Sequence, residues 1–564
     1  MKRLFELSKK ASTSPSTSFK IKPVKMHSQD FNADASPRGE VDTDSGPKSR
    51  TSHLEYDAEI KKLADAETDH QAHLGFDIKA TPAEEVNEKK LLRKVDWHIM
   101  PILMITYGLQ YSDKITLSSS VAFDLRQDTH LVGNDFAWLS TGFYLAYLIA
   151  EFPFGWVMQK FPMEKVISYT VLGWGICVFG LAACNNFTQL MAVRTLLGIL
   201  EAPISPGFLI IVTAWYKREE QVLRSMMFFS MNSFFSLFIL MANYGVGKAA
   251  IGSKIESWRA IHLFLGAVSF LWGIILFFTL CAPKSARWLT AEEKSLAHAR
   301  LVSNKTGEST SGIKFKWNQL WECFVDPQIY FITLTTILKS SASGGFSTFS
   351  TIILQSFNLN TEQTIVYQLP WYAIQFVSVC VVSYVVSTYP GKNLNLVMAF
   401  TLLLPAVVGM FLEALLSNDH LWGRLVGFWI TGFYTPASFI IWSTTGLNVA
   451  GRTKKSCAQA ITFMAFCAGY CIGPQMFYSS SAPQYLPGLY FCSACFFTAE
   501  LLIAVWYFWV RWENRRRDKK AESQGITLEQ RNLEGCLLGL QDMTDREASL
   551  EHYNRSSNNV TNLV

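Results

Sequence analysis

The sequence predicts an all-α membrane protein of about twelve spanning helices, from the length of its apolar runs, the grouping of its charges and a hydrophilic break at its middle. Of 564 residues, 49% are hydrophobic and 17% charged, where a soluble chain carries about 25% charge. The Asp, Glu, Lys and Arg side chains collect in the first hundred residues, near 284–326 and in the last fifty. Between them lie apolar runs of roughly 20 residues, enough to cross about 30 Å of hydrocarbon as a helix. A bilayer core offers no water to backbone amides, so such runs must be helices packed together.

In chain order, residues 1–92 are rich in Ser, Thr, Lys, Asp and Glu and read as a disordered cytoplasmic tail. They lack the apolar segment of a secretory signal, and the acidic stretch after residue 25 argues against a transit peptide. A first bundle, 93–281, holds spans at 98–122, 136–157, 166–184, 189–213, 222–247 and 259–281. A cytoplasmic loop, 282–327, separates it from a second bundle, 328–511. That bundle holds spans at 328–355, 362–386, 395–416, 421–448, 456–479 and 487–510, and 512–564 form a C-terminal tail. Two bundles of six suit a carrier whose halves rock about a site near the midplane.

Lys and Arg placement orients the chain with both termini in the cytoplasm. The inner segments hold Arg93, Lys94, Lys160, Lys165, Lys217, Arg218, Arg452, Lys454, Lys455 and Arg511 to Arg517; the outer loops hold little beyond Arg126, Lys248 and Lys254. The sequons at Asn304, Asn554 and Asn559 then face the cytoplasm, and only Asn186 faces outward. Eleven cysteines fall mostly in apolar runs. Cys492 and Cys495 have redox or metal spacing, but with no partner pair they read as small packing residues.

An ionisable side chain in hydrocarbon costs roughly 2.5–3.5 kcal/mol on insertion scales, so each one marks a candidate functional position. The set is Asp113 and Lys114 in span 1, Glu151 in span 2, Arg194 and Glu201 in span 4, Lys339 in span 7 and Glu500 in span 12. Asp113 and Lys114 are adjacent, hence about 100° apart on a helix, and each is expected to need a partner elsewhere. They fit either a contact to solute in a water-filled cavity or an ion pair between helices. Arg194 and Glu201 share a face two turns apart, and Pro203 and Pro206 should bend that span. Glu201 and Glu151 are candidate proton carriers, Glu201 reading equally as the partner of a basic residue in span 1 or 2; Lys339, Asp113, Lys114 and Arg194 are candidate substrate contacts. Lys339 sits in a string of small hydroxyl residues and glycines, and reads as an anion contact, as the partner of Glu201 or Asp113, or as a residue nearer an interface. Glu500 reads as structural.

Several of these residues fall in motifs that resemble the fungal anion:cation symporters of the major facilitator superfamily, in particular the allantoate permease branch. The matching stretches are Asp113–Lys114–Ile115, Glu151–Phe152–Pro153, Arg194 through Gly198, Glu201 and Pro206, and Trp258–Arg259. The most specific are Asn448 with Gly451, Thr453, Lys454 and Lys455, then Ile472–Gly473–Pro474–Gln475 with Phe477, then Ala482–Pro483 with Tyr485. The chain departs from the pattern at Gln159, where an Asp is usual, at Lys339 to Ser343, and at Tyr470–Cys471.

The resemblance covers about 90–515 and implies the major facilitator fold. It also implies proton-driven uptake of a small organic anion (allantoate or another ureido acid, a short peptide or a vitamin carboxylate) at a fungal plasma membrane. An exporter of a fungal metabolite on the same scaffold, or a sensor that binds without carrying, are the competing readings. An enzyme would need a His or Cys cluster or paired carboxylates at one interface, and none is found. The expected partners are the anion, protons and the lipid bilayer; no cofactor, nucleic acid or second subunit is expected.

Overall fold

The computed structural model describes residues 82–283, 285–302, 316–388, 395–417, 419–449 and 452–523. Most of the two expected tails, and the sequons at Asn304, Asn554 and Asn559, lie outside these residues. Span 1 is the helix α1 (Pro82–Ser120), followed by a short turn of helix, α2 (Leu125–Asp128). Spans 2 and 3 are α3 (Asp135–Lys160) and α4 (Met163–Ala182), and span 4 is divided into α5 (Phe187–Glu201) and α6 (Ile204–Trp215). Spans 5 and 6 are α7 (Arg218–Ala250) and α8 (Ser257–Thr279). The central loop contributes α9 (Ala291–Val302) and α10 (Trp317–Cys323). The second half follows as α11 (Pro327–Gln355), α12 (Thr361–Thr388), α13 (Asn395–Leu415), the pair α14 (Leu421–Thr431) and α15 (Tyr434–Asn448), α16 (Arg452–Gln475) and α17 (Leu486–Ser523).

Residues 82–92, assigned above to the tail, are helical and run on into span 1. At the start of span 1, Val95 and Ile99, one turn apart, are both buried. The C-terminal helix likewise continues to Ser523, past the expected end of span 12 at 510.

Span 4 breaks where the prolines require it. Pro203 has no amide to donate and crowds the carbonyl four residues back, so α5 ends at Glu201; Pro206 falls in the first turn of α6, where an amide would go unpaired anyway. Span 10 breaks too, between Thr431 and Tyr434, which the reading of 421–448 as one run did not anticipate. Arg424 and Pro436 have the spacing of Arg194 and Pro206, twelve residues, so the two broken spans repeat one sequence plan.

Among the described residues, nine helical stretches are long and apolar enough by composition to cross a membrane. The three spans that fall short are α1, α3 and α11, whose faces carry Asp113, Lys114, Ser140, Thr141, Glu151, Lys339 and the serines around it. A helix this polar can sit in a bilayer only if its neighbours and an internal aqueous space take up the polar face.

Within the first half α4 lies on α8 and α3 on α5; within the second α13 lies on α17 and α11 on α16 and α17. Across the halves, α3 meets α16 and α7 meets α12. The close approaches depend on glycine. A Cβ on Gly198 would run into the Phe143 carbonyl oxygen, and one on Gly473 into that of Ser341. The central loop is shared between the halves. On α9, Glu293 pairs with Lys94 at 2.6 Å and Arg300 with Glu220 at 2.7 Å. On α10, Glu322 accepts from Lys454 at 2.8 Å, and Asp326 takes the same ammonium at 2.8 Å.

Candidate functional site

Four of the six proposed site residues meet in one place. Asp113 and Lys114 come from α1, and Arg194 and Glu201 from the single face of α5 that Asn186 sets up by capping its first turn. Arg194 reaches Asp113 at 3.3 Å and Lys114 reaches Glu201 at 2.6 Å. Asp113, Arg194 and Glu201 are 1%, 2% and 0% exposed, while Lys114 keeps 19%.

The expectation that Asp113 and Lys114 cannot interact needs correction. Their Cα–Cβ bonds diverge, but the four-carbon stem of Lys114 brings Nζ back to 3.6 Å from Asp113 Oδ1. Lys114 thus lies between two carboxylates, and its ammonium also sits 4.8 Å from the centre of the Phe143 ring. The cluster holds two positive and two negative side chains. Several of its polar atoms are buried without a hydrogen-bond partner: Asp113 Oδ1, Glu201 Oε1, and Arg194 Nε and one terminal nitrogen.

Lys114 and Arg194 line a cavity of about 40 Å³ whose other walls come from both halves. Tyr111, Ser118, Ser140 and Tyr144 contribute from the first half, and Ser347, Thr348, Tyr372 and Tyr470 from the second. That volume suits one or two waters rather than an organic solute. The Tyr144 and Tyr470 rings, 4.5 Å apart, close the space from opposite halves. Glu201 lies behind Lys114 and does not line the cavity.

Lys339 and Glu151 stand apart from this group. Lys339 is buried on α11 two turns, about 12 Å, from the cavity residue Ser347; it lines no part of the cavity and forms no ion pair or hydrogen bond with a described residue. Glu151 lies one turn beyond Tyr147 on α3 and likewise has no polar partner among the described residues.

Sequence reasoning missed Glu413 and Arg424, both buried, because they fall within a turn of a span end, where a charge normally reaches the headgroups. The twelve-residue match of Arg424–Pro436 to Arg194–Pro206 is the signal that would have found Arg424.

The motif residues outside the cluster tie the framework together. Trp258 Nε1 donates to Asp128 at 2.9 Å, and Arg259 donates to the Ala182 carbonyl at 2.7 Å. Gln475 donates to Thr141 at 2.8 Å, Thr141 to the Cys471 carbonyl at 3.1 Å, and Arg126 to Tyr485 at 3.5 Å. With Ser118 donating to the Thr348 carbonyl, these bonds join the halves on the side of the 121–135 turn. Cys492 and Cys495 are buried thiols, and Cys492 donates to the Ala342 carbonyl at 3.4 Å.

Residues 103–474 match the family model described as Major Facilitator Superfamily. An uncharacterized transporter of Schizosaccharomyces pombe is 32% identical over 496 residues, covering 87% of this chain and 92% of the relative. The allantoate permease of Saccharomyces cerevisiae is 29% identical, covering 84% of this chain and 87% of its own. The thiamine pathway transporter of the same yeast is 30% identical, covering 77% and 82%. Among solved structures, a bacterial homolog of the human lysosomal transporter Spinster, inward-facing and unoccupied, aligns with a TM-score of 0.52 at 13% identity. It covers 72% of this chain and 94% of that one, a likeness of fold alone.

Proposed function

We propose that this chain, which belongs to the Major Facilitator Superfamily, takes up a small organic anion together with protons by alternating access. The observation that carries the reading is the position of Lys114, which lines the cavity while its ammonium is held by Glu201 behind the wall. Lys114 and Arg194 would receive the carboxylate of the solute, and the hydroxyls of Tyr372, Tyr470, Ser347 and Thr348 would receive its polar remainder.

Charge balance favours coupling to protons. The cluster is neutral when all four groups are ionised, so an added anion leaves a buried excess of negative charge. A proton on Glu201 removes that excess and frees Lys114 to turn toward the anion. One proton then accompanies each monovalent anion. In this reading Asp113 keeps Arg194 oriented, Glu151 is a second proton site toward the central-loop end of α3, and Lys339 receives the anion once the halves part at that end. The plasma membrane, with both termini in the cytoplasm, is the proposed setting, supported by the asymmetry of Lys and Arg.

The kinship to an allantoate permease supports a ureido acid as cargo, with dipeptides and vitamin carboxylates as the other members of the anion class. Two cations at the cavity argue against a cationic solute. The test is labelled uptake in a permease-deficient yeast of allantoate, ureidosuccinate, dipeptides, nicotinate and pantothenate, at two pH values and with an uncoupler. Uptake of one anion that rises at low pH and collapses with the uncoupler is expected. Uptake indifferent to both would remove the coupling, and efflux without uptake would favour an exporter.

A further inference from the structure

The central loop carries a helix whose polar face points inward and whose aromatic face points out. On α10, Gln319, Glu322 and Cys323 are buried, with Glu322 holding Lys454 and the Cys323 thiol donating to the Lys454 carbonyl at 3.4 Å. Trp317 and Trp321, one turn apart, are 67% and 68% exposed, and Phe324 and Val325 continue the exposed face. In water such a helix would be the wrong way round. It sits where α11 and α16 begin, the level at which two spans leave the hydrocarbon and indole side chains are most at home.

The end of α17 packs on the start of α11, the helix that follows α10. Phe331, near the start of α11, stacks on Trp506 and lies 5.8 Å from Trp509, and the neighbouring Tyr330 donates to the Phe324 carbonyl at 2.7 Å. Among and just beyond these residues α17 exposes Phe508 and, one turn later, Trp512, and then a run of arginines. Residues 511–519 hold five Lys and Arg against two carboxylates. One of those, Glu513, is occupied by Arg516 and Arg517 at 2.9 and 3.0 Å. Arg511, Arg515, Arg516 and Lys519 are exposed.

We propose that the α10 aromatics and the α17 arginines form a binding site for anionic phospholipid headgroups in the leaflet facing the central loop. The indoles would sit at the glycerol level, with the guanidinium groups above them meeting phosphate and carboxylate. Since Lys454 ties α10 to the start of α16, a lipid held there braces the ends of spans 7 and 11. The charge of the leaflet thereby bears on the half that supplies Tyr470 and Ser347 to the cavity. The inference does not depend on which solute is carried or in which direction.

The test uses the full-length chain reconstituted in phosphatidylcholine with trace spin-labelled phosphatidylserine or phosphatidylcholine. Electron paramagnetic resonance then reports the share of each lipid held motionally restricted by the protein. A severalfold preference for phosphatidylserine that weakens with added salt is expected. R515Q/R516Q/R517Q should bring it close to parity, since it removes three of the five cations of the run and surface cations supply the attraction to anionic headgroups. W317S/W321S should reduce the restricted population of both lipids, with circular dichroism showing unchanged helix content. Equal restriction of the two lipids by the native chain would overturn the proposal whatever the variants do. So would an undiminished preference in the arginine variant, or full restriction in the tryptophan variant; a surface reserved for a soluble protein partner would give that set of results.

Discussion

The two halves repeat one helical plan and use buried charge in opposite ways. In the first half Asp113, Lys114, Arg194 and Glu201 lie within contact of one another beside the cavity. In the second half the charges lie away from the cavity lining: Lys339 on α11 and Glu500 on α17 form no ion pair with a described residue, while Glu413 and Arg424 attract each other. Arg424 stands at the place of Arg194 and lies 4.0 Å over the Phe357 ring. Seven residues on, where the first half has Glu201, the second has Thr431. The second half gives the cavity tyrosines and hydroxyls instead of ions. The charged side chains at the cavity thus come from the first half, and the second half adds only uncharged polar ones to its lining.

The largest effect that separates the halves is expected at Lys114. Replacing it with Ala removes the cation from the cavity and strands Glu201, which for a buried pair costs about 3–5 kcal/mol. Uptake of the anion should fall by on the order of 100-fold or more, with Lys114→Arg retaining part of it. A Lys114→Ala chain that carries the anion at native affinity would end the reading.

Arg194→Ala is expected to act on stability as well as transport. It leaves Asp113 buried without its guanidinium partner, and the loss, about 3–5 kcal/mol, should show as a marked fall in melting temperature in detergent. The second half should respond with the opposite sign. Glu500 is a buried carboxylate without a hydrogen-bond partner among the described residues, so Glu500→Gln is expected to leave uptake and its pH profile unchanged. It should raise stability by about 1 kcal/mol. A transport defect there would show that the second half also handles protons.

The smallest effect is expected at the loop. Hydrogen bonds from Lys94 and from the Thr290 amide hold the Glu293 carboxyl below its usual range. A carboxylate depressed in the folded state lends stability that is full above its unfolded value and lost as pH falls through the folded one. For this partly exposed pair the contribution is under about 1 kcal/mol. Glu293→Gln should therefore flatten the acid limb of the melting curve slightly and leave transport intact.

Much of this was legible in the residues themselves. Apolar run lengths pointed to the long helices because a bilayer imposes one length on each, although α1, α3 and α11 fall short of a spanning composition, and the spacing of Arg194 and Glu201 put both on one face. Pro203 and Pro206 marked the break in span 4 through the chemistry of proline alone. The equivalent break after Thr431 was not seen, because there the glycine and proline are separated by three residues within an apolar run. The pairing of Lys114 depends on side-chain reach, which helical angle does not measure. Lys339 looked central because it is deep and charged, yet depth says nothing about which side of a helix faces the cavity. Glu413 and Arg424 were hidden by lying near span ends that sequence locates only within a turn.

The central claim is that Lys114 is shared between Glu201 and the transported anion. The most direct measurement is anion flux in proteoliposomes, comparing the native chain with Glu201→Gln as the inside and outside pH are varied. If Lys114 is shared, Glu201→Gln should still exchange labelled for unlabelled anion across the membrane, at a rate that no longer depends on pH. It should also fail to concentrate anion against a gradient when a proton gradient is imposed. A Glu201→Gln chain that still accumulates the anion in response to that gradient would contradict the account.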